Sequence, residues 1–223
     1  MSYSLIIPIY NEEKRLPQLL KELELLSYNL EVILINDGST DETKSILDDQ
    51  KLFKTLHKTK NRGKGSALIS GYKIANQENI IFMDADLEIS TSEIPKMIKD
   101  FEENNLDALV GTRWEKIGKF SDLHFLGNFF INVFFNFLFK SNFTDILCCL
   151  KIMKSHCLEK MKFNSNGFGI ESEIMAKIIL NELSFMEKKV LYKRRSKSEG
   201  KKLKYSDALV ILTTIIKNRF KVS

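Results

Sequence analysis

The chain has 223 residues, 43% hydrophobic and 28% charged, with three cysteines; this fits one folded domain with a sizeable core and excludes a disulfide framework. No stretch reaches the roughly 18 apolar residues of a membrane-spanning helix, and Met1 to Pro8 lacks the basic start and apolar length of a signal peptide, so a reducing, cytoplasmic setting is expected. The formal charge of +5 is uneven, because residues 188–223 hold 12 of the 34 Lys and Arg against only Glu199 and Asp207, a polarity that favours a polyanionic partner near the carboxyl end.

Tyr3 to Ile9 is apolar and β-prone, and Pro8 suits the rim of a sheet more than its centre. Asn11-Glu12-Glu13 opens a helix with Leu16, Leu19, Leu20, Leu23 and Leu26 at helical spacing. A second strand, Glu31 to Ile35, leads into Asn36-Asp37-Gly38-Ser39-Thr40-Asp41-Glu42. Ser39 and Glu42 have capping-box spacing, which starts a helix there and leaves Asp37 exposed at the strand end; a turn acid before Gly38 is the plainer reading of the same residue. A short strand, Phe53 to His57, precedes Asn61-Arg62-Gly63-Lys64-Gly65, where two glycines beside cations at a helix start suit a phosphate cradle, although the P-loop spacing is absent.

Ile80-Ile81-Phe82-Met83-Asp84-Ala85-Asp86-Leu87-Glu88 is an apolar run ending in two carboxylates one residue apart. A buried parallel strand would deliver them to the carboxyl edge of a sheet, where open α/β folds bind ligands. In an extended chain Asp84 and Asp86 share a face and can approach one hard cation such as Mg²⁺ or Mn²⁺; two acids that merely end a strand fit the short pattern equally well. A helix from about Ser92 to Glu103 and a strand, Asp107 to Val110, ending in Gly111-Thr112-Arg113 complete an alternation that calls for a parallel, three-layer α/β sheet flanked by helices.

The character changes after Trp114. Seven phenylalanines fall between Phe125 and Phe139, and the polar positions His124, Asn128, Asn132, Asn136 and Lys140 recur every four residues. On a helix they form one narrow polar stripe beside a broad apolar face, a pattern shared by core helices and by helices lying in a membrane interface. Thr144 to Met153 reads as loop then strand, and Glu171 to Asn181 as a helix in which Glu171 and Glu173 also suit a helix amino terminus. Ser184 to Tyr192 reads as a further strand, and Lys193 to Lys202 is too polar for a core. Ser206 to Phe220 closes the chain as an amphipathic helix with Leu209, Leu212, Ile216 and Phe220 on one side. Cys148, Cys149, His156 and Cys157 do not have a usual zinc spacing, so buried thiols are expected.

Pro8-Ile9-Tyr10-Asn11-Glu12, Asn36-Asp37-Gly38-Ser39-Thr40-Asp41, Asn61-Arg62-Gly63-Lys64-Gly65, Asp84-Ala85-Asp86-Leu87-Glu88 and Gly111-Thr112-Arg113, followed by Gly127-Asn128, Thr144-Asp145, Cys149, Lys151, Glu171, Glu173, Arg195 and Glu199-Gly200-Lys201-Lys202, stand in an order that resembles glycosyltransferase family 2 of the GT-A fold. Within it the resemblance is to the polyprenyl-phosphate sugar synthases related to dolichyl-phosphate mannose and glucose synthases. It implies a single domain over residues 1–223, with a nucleotide-sugar-binding half at 1–113 and an acceptor- and membrane-facing half at 114–223.

The resemblance also implies roles. Pro8, Tyr10 and Glu12 would line the nucleotide pocket, Asp37 would accept hydrogen bonds from the base, and Lys64 would stand on the donor side. Asp84 and Asp86 would hold Mg²⁺ or Mn²⁺ against the donor diphosphate. Arg195, Lys201 and Lys202 would close over that diphosphate as a basic loop, and Arg113 would position the acceptor. A lipid-phosphate acceptor, already anionic, needs no general base; a sugar hydroxyl would need one, for which Glu171 and Glu173 are the candidates. The chain would then be peripherally attached to a membrane through the Phe125 to Phe139 helix and the basic carboxyl-terminal region. A non-catalytic nucleotide-sugar-binding scaffold is the competing reading, and no nucleic-acid motif accompanies the basic tail.

Overall fold

The computed structural model describes residues 1–26, 28–113, 123–194 and 205–220. Among these residues seven strands form one sheet: β1 (Tyr3–Ile9), β2 (Leu30–Asn36), β3 (Lys54–His57), β4 (Asn79–Phe82), β5 (Ala108–Thr112), β6 (Lys151–Lys154) and β7 (Phe185–Lys189). Their order is β3-β2-β1-β4-β6-β5-β7. All run parallel except β6, which lies antiparallel between β4 and β5. The expected α/β sheet is present, but β5 is not the neighbour of β4.

Among the described residues eight helices accompany the sheet: α1 (Leu16–Glu24), α2 (Thr43–Asp49), α3 (Lys64–Tyr72), α4 (Glu93–Glu103), α5 (Leu123–Phe139), α6 (Ser155–Glu159), α7 (Gly169–Leu180) and α8 (Tyr205–Phe220). Alternate strand residues feed two separate cores, as side chains of successive strand residues must. Leu5, Ile7 and Ile9 of β1 join Leu16 and Leu19 of α1 and Ile94 and Ile98 of α4. Ile6 joins Leu68 of α3, Phe135 of α5, Ile174 of α7 and Ile215 of α8. Burial on both faces explains why the strands read as continuous apolar runs.

Two local expectations are corrected. Pro8 sits in an interior strand, yet β4 pairs β1 only as far as Ile6. The Ile6 carbonyl accepts from the Met83 N–H and the Ile9 carbonyl from the Asp37 N–H; by strand alternation Pro8 turns its nitrogen to the side where β4 has ended, and its missing donor leaves no gap. Ser39 and Glu42 do not form a capping box. The Ser39 hydroxyl instead accepts from the Asn11 N–H, and Asp41 accepts from the Thr43 N–H at the start of α2.

Within the polar stripe of α5, Asn132 and Asn136 turn to a neighbouring loop. Asn136 donates to the Phe143 carbonyl and accepts from the Phe143 N–H and the Ser141 hydroxyl, while Asn132 donates to Phe143 and accepts from the Ile146 N–H. The asparagines thus hold the 141–146 turn. Ile131, Phe135 and Phe139 are buried, and Phe129, Phe130, Val133 and Phe137 are exposed, Phe137 to 78%. On α8, which packs on α5 and α7, Ile211 and Ile215 are buried while Leu209, Ile216 and Phe220 are exposed.

The two halves of the chain meet where residues 164–167 lie over the start of α3. The Ser66 N–H donates to the Asn166 carbonyl, and a Cβ on Gly65 would collide with the Ser165 carbonyl and touch Ile170. Gly65→Ala should therefore lower stability by about 1–3 kcal/mol through overpacking, seen as a reduced urea midpoint at unchanged slope.

Candidate functional site

The carboxyl ends of β1, β2, β4, β5 and β7 open on one edge of the sheet, and the residues singled out in the sequence gather there in three groups. The first is a clasp between the loops after β1 and β2. The Thr40 N–H donates to Asn11 Oδ1 (2.8 Å), the Glu12 N–H to the Thr43 hydroxyl (2.9 Å) and the Glu42 N–H to Glu13 Oε2 (3.1 Å). Asn11 has φ of 52°, a left-handed conformation that asparagine tolerates. Pro8, Tyr10 and Glu12 are thereby carried beside the Asp37 segment, and all three are half-buried.

Asp37 itself is only 2% exposed, which corrects the expectation of a carboxylate open at the strand end. It accepts from the Gly63 N–H (2.7 Å) and the Arg62 N–H (3.2 Å) and pairs with Lys58 Nζ (2.5 Å). Gly38, at φ +71°, presses against Lys60 and Asn61. The acid therefore fixes the 58–63 loop. The phosphate cradle is likewise corrected, since Gly63 and Ser66 give their N–H groups to Asp37 and Asn166 and the glycines admit residues 165–167.

Held in this way, α3 begins with Lys64 aimed into the second group. Its ammonium lies 2.7 Å from Asp84 Oδ1 and 2.6 Å from Glu171 Oε1. Glu171 also pairs with Lys151, which has no exposed surface. A row results, Lys151–Glu171–Lys64–Asp84, with two charges of each sign, buried at Lys151 and Glu171 and reaching the surface at Asp84. Burial would raise the Glu171 carboxyl, but Lys151 and then Lys64 outweigh it and hold it below the ordinary carboxylate range. At Asp84 burial prevails: its carboxyl is raised, with Lys64 opposing and Asp86 and Glu171 adding to the shift. Beyond Phe82 the chain turns and does not stay extended, because Asp86 Oδ1 accepts from the Glu88 N–H and Leu87 takes φ of 56°. Asp84 and Asp86 are thus presented by a turn, where a common strand face was expected.

The donor set suits a hard cation: two carboxylates one residue apart, all-oxygen, with an ammonium already seated on Asp84. Glu173 does not join them. It is fully buried and accepts from the N–H groups of Asn164 and Ser165, so it fixes the 164–165 turn. Arg195, Lys201 and Lys202 lie outside the described residues.

The third group is built on Arg113. Its Nε and an η nitrogen donate to the two oxygens of Asp145 at 2.7 and 2.9 Å, and its guanidinium lies 5.5 Å from the Tyr192 ring centre. Tyr192 donates to Glu88 Oε2, Ile89 forms a β-bridge with Tyr192, and the Lys193 N–H donates to the Glu88 carbonyl at 2.7 Å. The chain entering the basic segment is therefore fastened to the loop that carries Asp86. Burial also pushes the Cys148 thiol up to about 12; Cys148 and Cys157 are the buried thiols expected, while Cys149 is half-buried.

Lys58, Lys151 and Tyr192 have structural partners that motif spacing did not disclose. Lys151 alone left a signal, being a cation inside the apolar run Leu150-Lys151-Ile152-Met153; a strand there requires a buried counter-ion. At the other edge Asp107, His156 and Cys157 cluster, but Asp107 is engaged by Lys154 and Ser184.

Asp145 is almost fully buried; burial would raise its carboxyl, and Arg113 overrides that and holds it below the ordinary range. A depressed carboxyl contributes stability above its unfolded pKa, near 4, and loses it as pH falls through the folded value. Asp145→Asn should cost about 3–5 kcal/mol at neutral pH by removing the carboxylate that pairs with the buried Arg113 guanidinium. Urea unfolding at pH 7 and pH 3 should show the gap to wild type narrowing in acid; an equal gap at both would contradict the assignment.

The family model for Glycosyl transferase family 2 matches residues 4–161. An uncharacterized protein of Methanocaldococcus jannaschii is 32% identical over 201 residues, 83% of this chain and 85% of that one. The dolichol-phosphate mannosyltransferase of Pyrococcus furiosus is 36% identical over 124 residues, 53% of this chain and 35% of that protein. The undecaprenyl-phosphate 4-deoxy-4-formamido-L-arabinose transferase of Proteus mirabilis is 36% identical over 119 residues, 49% of this chain and 36% of its own. The match thus spans little more than a third of either named transferase. Among solved structures, glucosyl-3-phosphoglycerate synthase from Mycobacterium tuberculosis in complex with Mn²⁺, UDP-glucose and phosphoglyceric acid superposes on all of this chain and 81% of its own, with TM-score 0.76 at 13% identity. That likeness carries the fold, and the family match carries the kinship: the chain belongs to glycosyltransferase family 2, and is a glycosyltransferase.

Proposed function

We propose that the protein transfers a hexose from a nucleotide sugar of the GDP-mannose or UDP-glucose type to polyprenyl phosphate, with inversion, at a cytoplasmic membrane face. The observation that supports an anionic acceptor is the engagement of both candidate bases: Glu171 lies between two lysines and Glu173 holds two backbone N–H groups. A hydroxyl acceptor needs a carboxylate at liberty to take its proton, whereas a phosphate monoester arrives as a nucleophile. The named relatives that act on dolichol and undecaprenyl phosphates point the same way.

A divalent cation, Mg²⁺ or Mn²⁺, held by Asp84 and Asp86 would neutralise charge on the nucleoside-diphosphate leaving group. Pro8, Tyr10 and Glu12 line the nucleotide side, and Asp37 acts by setting the loop that closes it. Arg195, Lys201 and Lys202 are assigned to the diphosphate oxygens from sequence. Arg113, clamped by Asp145, shapes the acceptor side.

Membrane contact is proposed through the exposed apolar strip on α5 and α8, which Lys140, Lys217 and Arg219 flank. No helix among the described residues is long and apolar enough to cross a membrane.

Incubation with radiolabelled GDP-mannose or UDP-glucose, polyprenyl phosphate and Mn²⁺ should yield lipid-extractable label. Asp86→Ala should lower the rate by about a hundredfold or more. Label appearing only on a saccharide, or none in lipid from any common donor, would reject the acceptor. In flotation with anionic vesicles, the double substitution Phe130→Ser with Phe137→Ser should weaken binding by roughly tenfold or more, since each ring offers about 1.5–3 kcal/mol on burial; unchanged flotation would remove α5 from the contact.

A further inference from the structure

We infer that Lys64 is a resident cation of the Asp84 carboxylate, displaced onto Glu171 when a divalent metal takes its place. The inference rests on the metal seat proposed above and adds a second state to it.

Three observations carry it. First, the Lys64 ammonium already reaches both docks, at 2.7 Å from Asp84 and 2.6 Å from Glu171, so the exchange needs only a small swing of a flexible side chain. Second, the receiving oxygen has capacity. Glu171 Oε1 is buried and has no aligned hydrogen-bond donor among the described residues, although Lys64 stands close to it. Lys64 Nζ donates to Asp84 Oδ2 at 2.9 Å, so the one ammonium is shared between the two carboxylates. Leaving Asp84 would let Lys64 align fully on Glu171.

Third, the two carboxylates differ in what they lose. Glu171 keeps Lys151 whichever way Lys64 leans. Asp84 stands beside two like charges, Asp86 and Glu171, and needs a cation at all times. An ammonium and a divalent ion cannot both sit on one carboxylate without strong repulsion. Metal entry and Lys64 departure are therefore coupled, and Glu171 with Lys151 behind it serves as the positioning pair that receives the displaced charge.

Mn²⁺ affinity of the full chain, measured by calorimetry or electron paramagnetic resonance with no donor present, tests this. Lys64→Met should bind Mn²⁺ at least tenfold tighter than wild type. Glu171→Gln, which removes the second dock, should bind it several-fold more weakly, and that loss should vanish in the Lys64→Met background. Additive effects, or unchanged or weaker binding in Lys64→Met, would overturn the exchange while leaving the metal seat intact. A wild-type chain that binds no Mn²⁺ with or without UDP or GDP would instead remove the seat, and the exchange with it. Should Lys64→Met fail to fold, the wild-type ammonium resonances give the answer during a Mg²⁺ titration. The Lys64 signal should move while that of Lys151 stays; if neither moves, the inference fails.

Discussion

The ion pair between Lys64 and Glu171 joins the first half of the chain to the second at the point where both reach the edge of the sheet. Buried charges are tolerated only when each has a partner and a fixed place, and this constraint runs outward through the architecture. Lys64 is placed by α3, whose start is pinned by Asp37 through the Gly63 N–H. Glu171 is placed by α7, whose preceding turn is pinned by Glu173. The glycines at 63 and 65 let the two starts approach. Acids marked in the sequence thus divide into those that face the site and those that set its walls.

That division explains how much was legible beforehand. The strands could be read because burial on both faces demands unbroken apolar runs. The paired acids after β4 could be located because a strand end fixes where the next residues emerge. The direction and neighbour of β6 could not be read: four residues, Lys151–Lys154, carry no mark of the strands 70 and 40 residues earlier that they separate. Asp37 is read as exposed because its partners, Lys58 and two backbone N–H groups, are supplied by a loop more than twenty residues away. The conformation at Asp86 was equally hidden, since the turn at Leu87 depends on a local hydrogen bond and not on hydrophobic period.

Helix α5 shows the limit of reading polarity as exposure. A four-residue polar period is normally assigned to solvent, yet here Asn132 and Asn136 act as surrogate backbone for the 141–146 turn. Amide side chains, which donate and accept at once, can satisfy a turn that no strand or helix covers. With these asparagines engaged, Phe129, Phe130 and Phe137 fall to the outside of α5, and Leu209, Ile216 and Phe220 to the outside of α8, which packs on it. Exposed apolar side chains on two packed helices are the kind of surface that a partner covers.

The placement of β6 has a consequence for how the chain acquires its structure. The outer edge of β4 finds its partner only in Lys151–Lys154, about 70 residues further along. At synthesis rates of about 5–20 residues per second, the Ile80-Ile81-Phe82 edge therefore waits several seconds after it emerges, with β1 to β3 able to pair behind it. Through that interval the nascent chain presents an open apolar strand edge, the usual template for wrong pairing. A strand of four residues offers few sites for it, so the shortness of β4 limits the hazard that its late partner creates.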